Sequence, residues 1–355
     1  MPAGTMPAGP TPVGTTAIGL PPGAATGIGS MPHADARQAA TLMLELCRVL
    51  PSVPSLASRS VTPRRHPAEV MLAQIAVGVR GLAIDEDGHL VVDVDRVDPL
   101  ADVTPDLAHP AFRGLRAFCE VAAGREGSVK WQVLGPVSLG GALVRRGVPV
   151  SAAYTVAVRA VRAHLQAIHA ELTASLPNCR QVVFVDEPSL SRVQEPQFPI
   201  AADVALDLVS GALATVEPGC PGGIHCCHPD GDIASLLAAG PRILSMPVRP
   251  ALAASAGYLA SFLDNGGWIA WGAVPTDGPL SSSADRYWRE LQALWCDLVA
   301  GGCDAGRLRR QALVTPGCGL ALHDVESATA ALTLTAEIAA RVASQALATD
   351  RSVGA

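Results

Sequence analysis

Four stretches of the chain carry side chains suited to chemistry, and each closes an apolar, strand-like run. IHCCHPD places His225, Cys226, Cys227 and His228 in succession. On extended backbone the side chains alternate, so His225 and Cys227 share one direction while Cys226 and His228 take the other. That face presents an imidazole and a thiolate together, both good zinc ligands. The third candidate is Cys318 in TPGCGLALHD, flanked by Gly317 and Gly319, which let the chain turn sharply. Two cysteines and one histidine leave a coordination position for a substrate or another ligand. Asp186 and Glu187 end VVFVDEP; carboxylates leaving such a run are solvated or paired, with a substrate amino group or with a neighbouring arginine. GIGS at 27–30 has two glycines that permit close approach to a ligand, but no GxxxxGK[ST] or GxGxxG accompanies it, so it is not a phosphate loop. Cys47, Cys119, Cys179, Cys296 and Cys303 lie outside these stretches and read as small hydrophobes.

These groups act together only if the scaffold gathers the ends of their strands. Strand-like runs at 25–30, 129–136, 181–188, 222–227, 242–248, 267–275 and 312–319, with a weaker eighth near Pro54–Arg59, alternate with helical stretches. In one helix Tyr154, Val158, Val161, Leu165, Ile168 and Leu172 recur at alternating steps of four and three, opposite Arg159, Arg162, Gln166 and His169. Eight strands separated by helices predict a (β/α)8 barrel rather than an open doubly wound sheet, and barrel active sites lie at the C-terminal strand ends. Residues 1–24, rich in Pro, Gly and Ala, are expected to form a disordered tail, 25–345 one barrel domain and 346–355 a C-terminal tail. Between Gly81 and Asp106 the sequence reads as an extended excursion, a hairpin insertion preceding a helix at 107–123.

Composition narrows the classes further. With 355 residues, 49% of them hydrophobic and 16% charged, the chain has ample material for a core. A net charge of −6 and dispersed basic residues, all arginine except Lys130, point away from nucleic acid. Apolar stretches are broken well short of the roughly 20 residues that cross a bilayer, so no membrane association is expected. The N-terminus lacks the charged and apolar regions of a signal peptide. Nine scattered cysteines favour reduced thiols, and a cytoplasmic location is expected.

Taken in order, ATGIGSMP, QVLGPVSL, VDEPSL, IHCC, WGAVPT and VTPGCGL resemble the catalytic barrel of cobalamin-independent methionine synthase, especially its short single-domain actinobacterial relatives, over about residues 25–345. The resemblance implies a TIM barrel of the superfamily that includes uroporphyrinogen decarboxylase. It implies zinc held by His225, Cys227 and Cys318, a substrate carboxylate bound by Ile28, Gly29 and Ser30, and its amino group bound by Asp186. The implied reaction is methyl transfer to a small thiol, homocysteine first, by attack of a zinc-bound thiolate. Coordination removes the thiol proton, and positioning of the two reactants supplies much of the rate. The family's fourth zinc ligand, a glutamate, has no counterpart in RILSMPVRP, where Ser245 and Met246 stand; water, Cys226, His228 or His323 are the substitutes on hand. No counterpart of the family's N-terminal barrel is expected, so the methyl donor is either a methylfolate or a methyl-corrinoid protein. Met31, Trp131 and Trp271 either line a donor pocket or simply pack. Other readings are a different alkyl transfer on the same zinc platform, to coenzyme M from a corrinoid or an epoxide; a metal-free decarboxylase-like barrel; and a barrel that binds zinc or a metabolite without catalysis.

Overall fold

Eight short parallel segments, each followed by helical chain, close on one another in the computed structural model, which describes residues 18–56, 67–85, 89–217, 219–228 and 232–353. The strands are β1 (Ala24–Ala25), β2 (Ser30–Met31), β3 (Ser55–Leu56), β4 (Leu82–Ile84), β5 (Leu90–Val92), β6 (Gly127–Leu134), β7 (Cys179–Asp186), β8 (Gly222–His225), β9 (Ile243–Pro247), β10 (Trp268–Val274) and β11 (Ala312–Pro316). Seven form one sheet in the order β1-β11-β10-β9-β8-β7-β6, every pairing parallel. The remaining gap is spanned by residues 51–56. Ser52 bridges to Lys130 of β6 in parallel, and β3 pairs with β2, which continues the path of β1 after a break at residues 26–29. The circle is complete, and the fold is the (β/α)8 barrel that the eight runs predict.

Strand alternation divides the apolar side chains into two populations. Ala24, Val182, Phe184, Ile243, Ala270 and Leu313 meet inside the barrel, together with Leu50 and the incoming Ile18 and Leu20. Their neighbours Trp131, Val183, Leu244, Ile269, Trp271 and Val314 face outward into the much larger core beneath the helices. Truncating a ring such as Phe184 costs about 3–5 kcal/mol in a packed interior. The inward positions turn polar towards the C-terminal strand ends: Phe184 is succeeded on its face by Asp186, Ile243 by Ser245, Leu313 by Thr315 and Gly223 by His225. An apolar floor thus carries a polar layer at the mouth.

Helix Val150–Ser175 buries Tyr154, Val161, Leu165, Ile168 and Leu172 as its periodicity requires, while Val158 is only half-buried and Ala157, Ala160 and His164 widen the stripe. β4 and β5 form the expected antiparallel hairpin, and helix Arg113–Val121 follows it. Two expected boundaries fall inside packed structure. Ile18 and Leu20 are buried under the barrel floor, so packing begins before the tail's expected end at residue 24. The last helix runs Val325–Val353, across the boundary placed at 345. The rest of the expected N-terminal tail, and residues 57–59 of the weak eighth strand, lie outside the described residues.

Candidate metal centre

Three adjacent strands place the first polar groups at one height. Asp186 of β7 is in register with His225 of β8, and His225 with Ser245 of β9. Cys227 lies two residues beyond His225, on the same face, and Cys318 just past β11. The ligand atoms of His225, Cys227 and Cys318 all fall within 4.8 Å of one another, and no other such group of three occurs among the described residues. Tetrahedral zinc with bonds of about 2.0–2.3 Å would set its ligand atoms roughly 3.5–3.8 Å apart, so closure of about an ångström would let these three reach one ion and leave a fourth position open.

The donor chemistry fits a metal. Nδ1 of His225 lies 2.9 Å from Oγ of Ser245, and in the tautomer with the proton on Nδ1 the ring is oriented as a metal ligand is by its outer partner. Nε2 is buried without a hydrogen-bond partner. Cys227 is held well below the usual thiol range, first by a hydrogen bond from the Cys318 thiol and then by His225, while Cys318 is pushed well above it. One thiolate and one thiol therefore share a proton's position that a dication would replace.

Beside the cluster lies a set of buried polar atoms with no protein partner: Thr26 Oγ1, Ser30 Oγ, Asp186 Oδ1 and Thr315 Oγ1. Buried polar atoms are normally paired, so such a group at a barrel mouth is a candidate ligand site. Burial pushes Asp186 up to about 6 against the pull of His225 and Lys130, with Cys227 adding to the rise. Gly29, at φ +136°, lies between Ile28 and Ser30, and a Cβ there would sit 1.8 Å from Nε2 of Gln132. Fully buried Lys130 reaches up beneath this loop. Nζ donates to the Ile28 carbonyl and, at 2.9 Å, to Oε1 of Gln132. Burial pulls Lys130 down to about 7, opposed by Asp186 and Cys47.

Glu187, next to Asp186, does something different. It turns to the N-terminus of helix Pro136–Val144 and accepts from the Val137 N–H at 2.8 Å, the Ser138 N–H at 2.8 Å and the Ser138 hydroxyl at 2.6 Å. Its partners are helix donors rather than an arginine, and it fixes the loop after β6 against the loop after β7.

The side chains suggested as stand-ins for a fourth ligand do not join the cluster. Cys226 is buried on the opposite face, where it hydrogen-bonds to backbone at His228 and Ser191. His228 is exposed. His323 places Nε2 3.1 Å from the Thr276 carbonyl. Met246 packs into the outer core. Met31, Trp131 and Trp271 are also core residues, turned outward by strand alternation, with Trp271 edge-on to Trp295; the packing reading holds for all three. Against the thiols lies a cavity of about 110 Å³ lined by Cys227, Cys318, Gly272, Gly317, Arg249 and Asp277. Arg249 and Asp277 pair at 2.7 Å and also line an adjoining cavity of about 540 Å³.

Fold and site together define a (β/α)8 barrel with a His-Cys-Cys cluster and an unpaired polar layer at its C-terminal mouth. No family model matches the sequence, and no curated protein matches it. Among solved structures, the barrel is similar to a B12-independent methionine synthase from Shewanella sp. W3-18-1 in complex with selenomethionine, with a TM-score of 0.58 at 14% identity, covering 92% of this chain and 99% of that one. At that identity the likeness is one of fold. A bee venom hyaluronidase in complex with a hyaluronic acid tetramer matches at a TM-score of 0.31 and 11% identity over 68% of this chain and 75% of that one, which carries no argument.

Neither Ser245 as a partner for His225, nor the Lys130–Gln132 pair, nor the Arg249–Asp277 bridge was singled out from sequence. The legible signal was VKWQVL, where Lys130 and Gln132 share the inward face of an otherwise buried strand.

Proposed function

We propose that the protein is a zinc-dependent methyltransferase that transfers a methyl group to a small thiol amino acid, homocysteine being the best fit. The observation that carries this reading is the convergence of His225, Cys227 and Cys318 within 4.8 Å beside the buried, unpaired oxygens of Ser30 and Asp186. Bound by those three side chains, zinc would supply the Lewis acidity to keep a substrate thiol deprotonated at neutral pH. Ser245 orients His225. The Asp186 carboxylate takes the substrate ammonium, and Ser30 with the Ile28–Gly29 backbone takes the carboxylate, which fixes the sulfur at the cluster. The thiolate sulfur then attacks the methyl carbon in line; the S–C bond forms as the donor–methyl bond breaks, the bond's electron pair leaving with the donor, on the cobalt of a corrinoid or on a folate nitrogen that takes up a proton from solvent, and orientation of the reactants lowers the barrier most. The methyl donor is a methylfolate or a methyl-corrinoid protein, reaching the sulfur through the cavity bordered by Arg249 and Asp277. Among the described residues no helix is long and apolar enough to cross a membrane.

The test is a matrix of donors and thiols. Zinc-loaded protein is assayed with methylfolate and methylcobalamin against homocysteine, coenzyme M and simple alkanethiols. Methionine formation from one donor supports the reading. Turnover with coenzyme M alone transfers the chemistry to another alkyl acceptor, and zinc binding with no turnover from any pair refutes it.

A further inference from the structure

Lys130 is the only lysine in the chain and is fully buried inside the barrel. Nζ lies 4.5 Å above the Phe184 ring and donates to the Ile28 carbonyl and to Gln132. Gln132 is locked in turn. Oε1 accepts from Ser52 Oγ at 3.3 Å, and Nε2 donates to Ser55 Oγ at 2.9 Å and the Val53 carbonyl at 3.4 Å. The amide rests against the Cα of Gly29, in space that any Cβ would occupy. Burial brings Lys130 to about 7, so Nζ is a donor in both its charged and its neutral form, and a donor aimed at this loop from inside the barrel has a use beyond support.

The peptide between Ile28 and Gly29 supplies one. In a trans peptide the C=O and N–H point in opposite directions. With the carbonyl held down by Lys130, the Gly29 N–H is directed to the other side, and the hydrogen bond that the carbonyl accepts polarises the peptide and makes that N–H a stronger donor. We propose that Lys130, seated by Gln132, is a positioning residue that shapes the Ile28–Ser30 loop to bind a carboxylate, selecting amino-acid thiols over thiols lacking that group. The proposal rests on the functional reading above, and it deepens that reading by naming what sets substrate class. In its ammonium form Lys130 also lends Asp186 a buried counter-charge when no substrate ammonium is present.

The experiment titrates zinc-loaded wild-type, Lys130→Met and Gln132→Glu proteins with homocysteine and with ethanethiol by calorimetry. Gln132→Glu keeps the side chain's shape while setting an anion against Lys130. Both variants are expected to weaken homocysteine about tenfold or more, with ethanethiol affinity within about twofold of wild type and zinc content unchanged. Homocysteine binding within twofold of wild type in folded Lys130→Met overturns the proposal, and so does an equal loss for both thiols. If Lys130→Met does not fold, the same outcomes in Gln132→Glu decide. Wild-type protein that holds zinc but binds no homocysteine overturns the functional reading, and the inference with it.

Discussion

Replacing Glu187 with glutamine tests whether the loop carrying Asp186 is held by a buried carboxylate. Glu187 is fully buried, and burial pushes it up from 4.5 to about 7 despite the opposing hydrogen bonds from Ser138 and Val137. The folded state therefore binds more protons than the unfolded state between those two values, and stability falls as pH rises through that window. Below about 4.5 both states are protonated and nothing is lost; above about 7 the full penalty applies. Between pH 5 and pH 8 this site removes about 2–3 kcal/mol from the wild-type protein. Glutamine has no such titration, but its amide nitrogen faces a backbone N–H, leaving one buried donor unpaired at about 1–3 kcal/mol. Glu187→Gln should thus be the less stable protein at pH 5, with the gap closing by about 2–3 kcal/mol at pH 8. Urea unfolding of both proteins at the two pH values measures this, and taking the difference cancels the protonation of the metal ligands, common to both. Parallel stability curves, with a gap constant to about 0.5 kcal/mol, would refute the reasoning.

Three more substitutions address the site itself. Asp186→Asn removes the carboxylate proposed for the substrate ammonium and should raise KM for homocysteine about 30-fold or more, with zinc content retained on metal analysis. Ser245→Ala takes away the partner of His225 Nδ1 and should weaken zinc about 10- to 100-fold, measured by competition with a chelating dye. Gly29→Ala forces a Cβ to 1.8 Å from Gln132 at a φ of +136°; homocysteine binding should be lost in calorimetry while the far-ultraviolet circular dichroism keeps its barrel signature.

The barrel was legible because its eight apolar runs and the helices between them follow simple periodicities, and the pairing of His225 with Cys227 follows from alternation along one strand. Cys318 was legible as a thiol at a strand end flanked by glycines. What alternation could not convey was height in the barrel: that Asp186, His225 and Ser245 stand in register across three strands depends on pairings between distant segments. The different tasks of Asp186 and Glu187 escaped for a related reason, since only the packing of helix Pro136–Val144 against β7 shows where the second carboxylate turns. Trp131 and Trp271 look like pocket residues in a list of strand ends, yet their parity sends them outward. Ile18 and Leu20 were hidden in a Pro/Gly-rich stretch whose composition masks two buried anchors.

The central claim is that His225, Cys227 and Cys318 hold a zinc ion to which a substrate thiol is brought. Metal analysis of protein purified under reducing, zinc-replete conditions, followed by cobalt substitution and visible spectroscopy, tests it most directly. About one metal per chain is expected, with thiolate-to-cobalt charge-transfer bands that strengthen when homocysteine is added and metal content that collapses in Cys227→Ser and Cys318→Ser. Metal-free protein, or full metal content with unchanged thiolate bands in either serine variant, would contradict it.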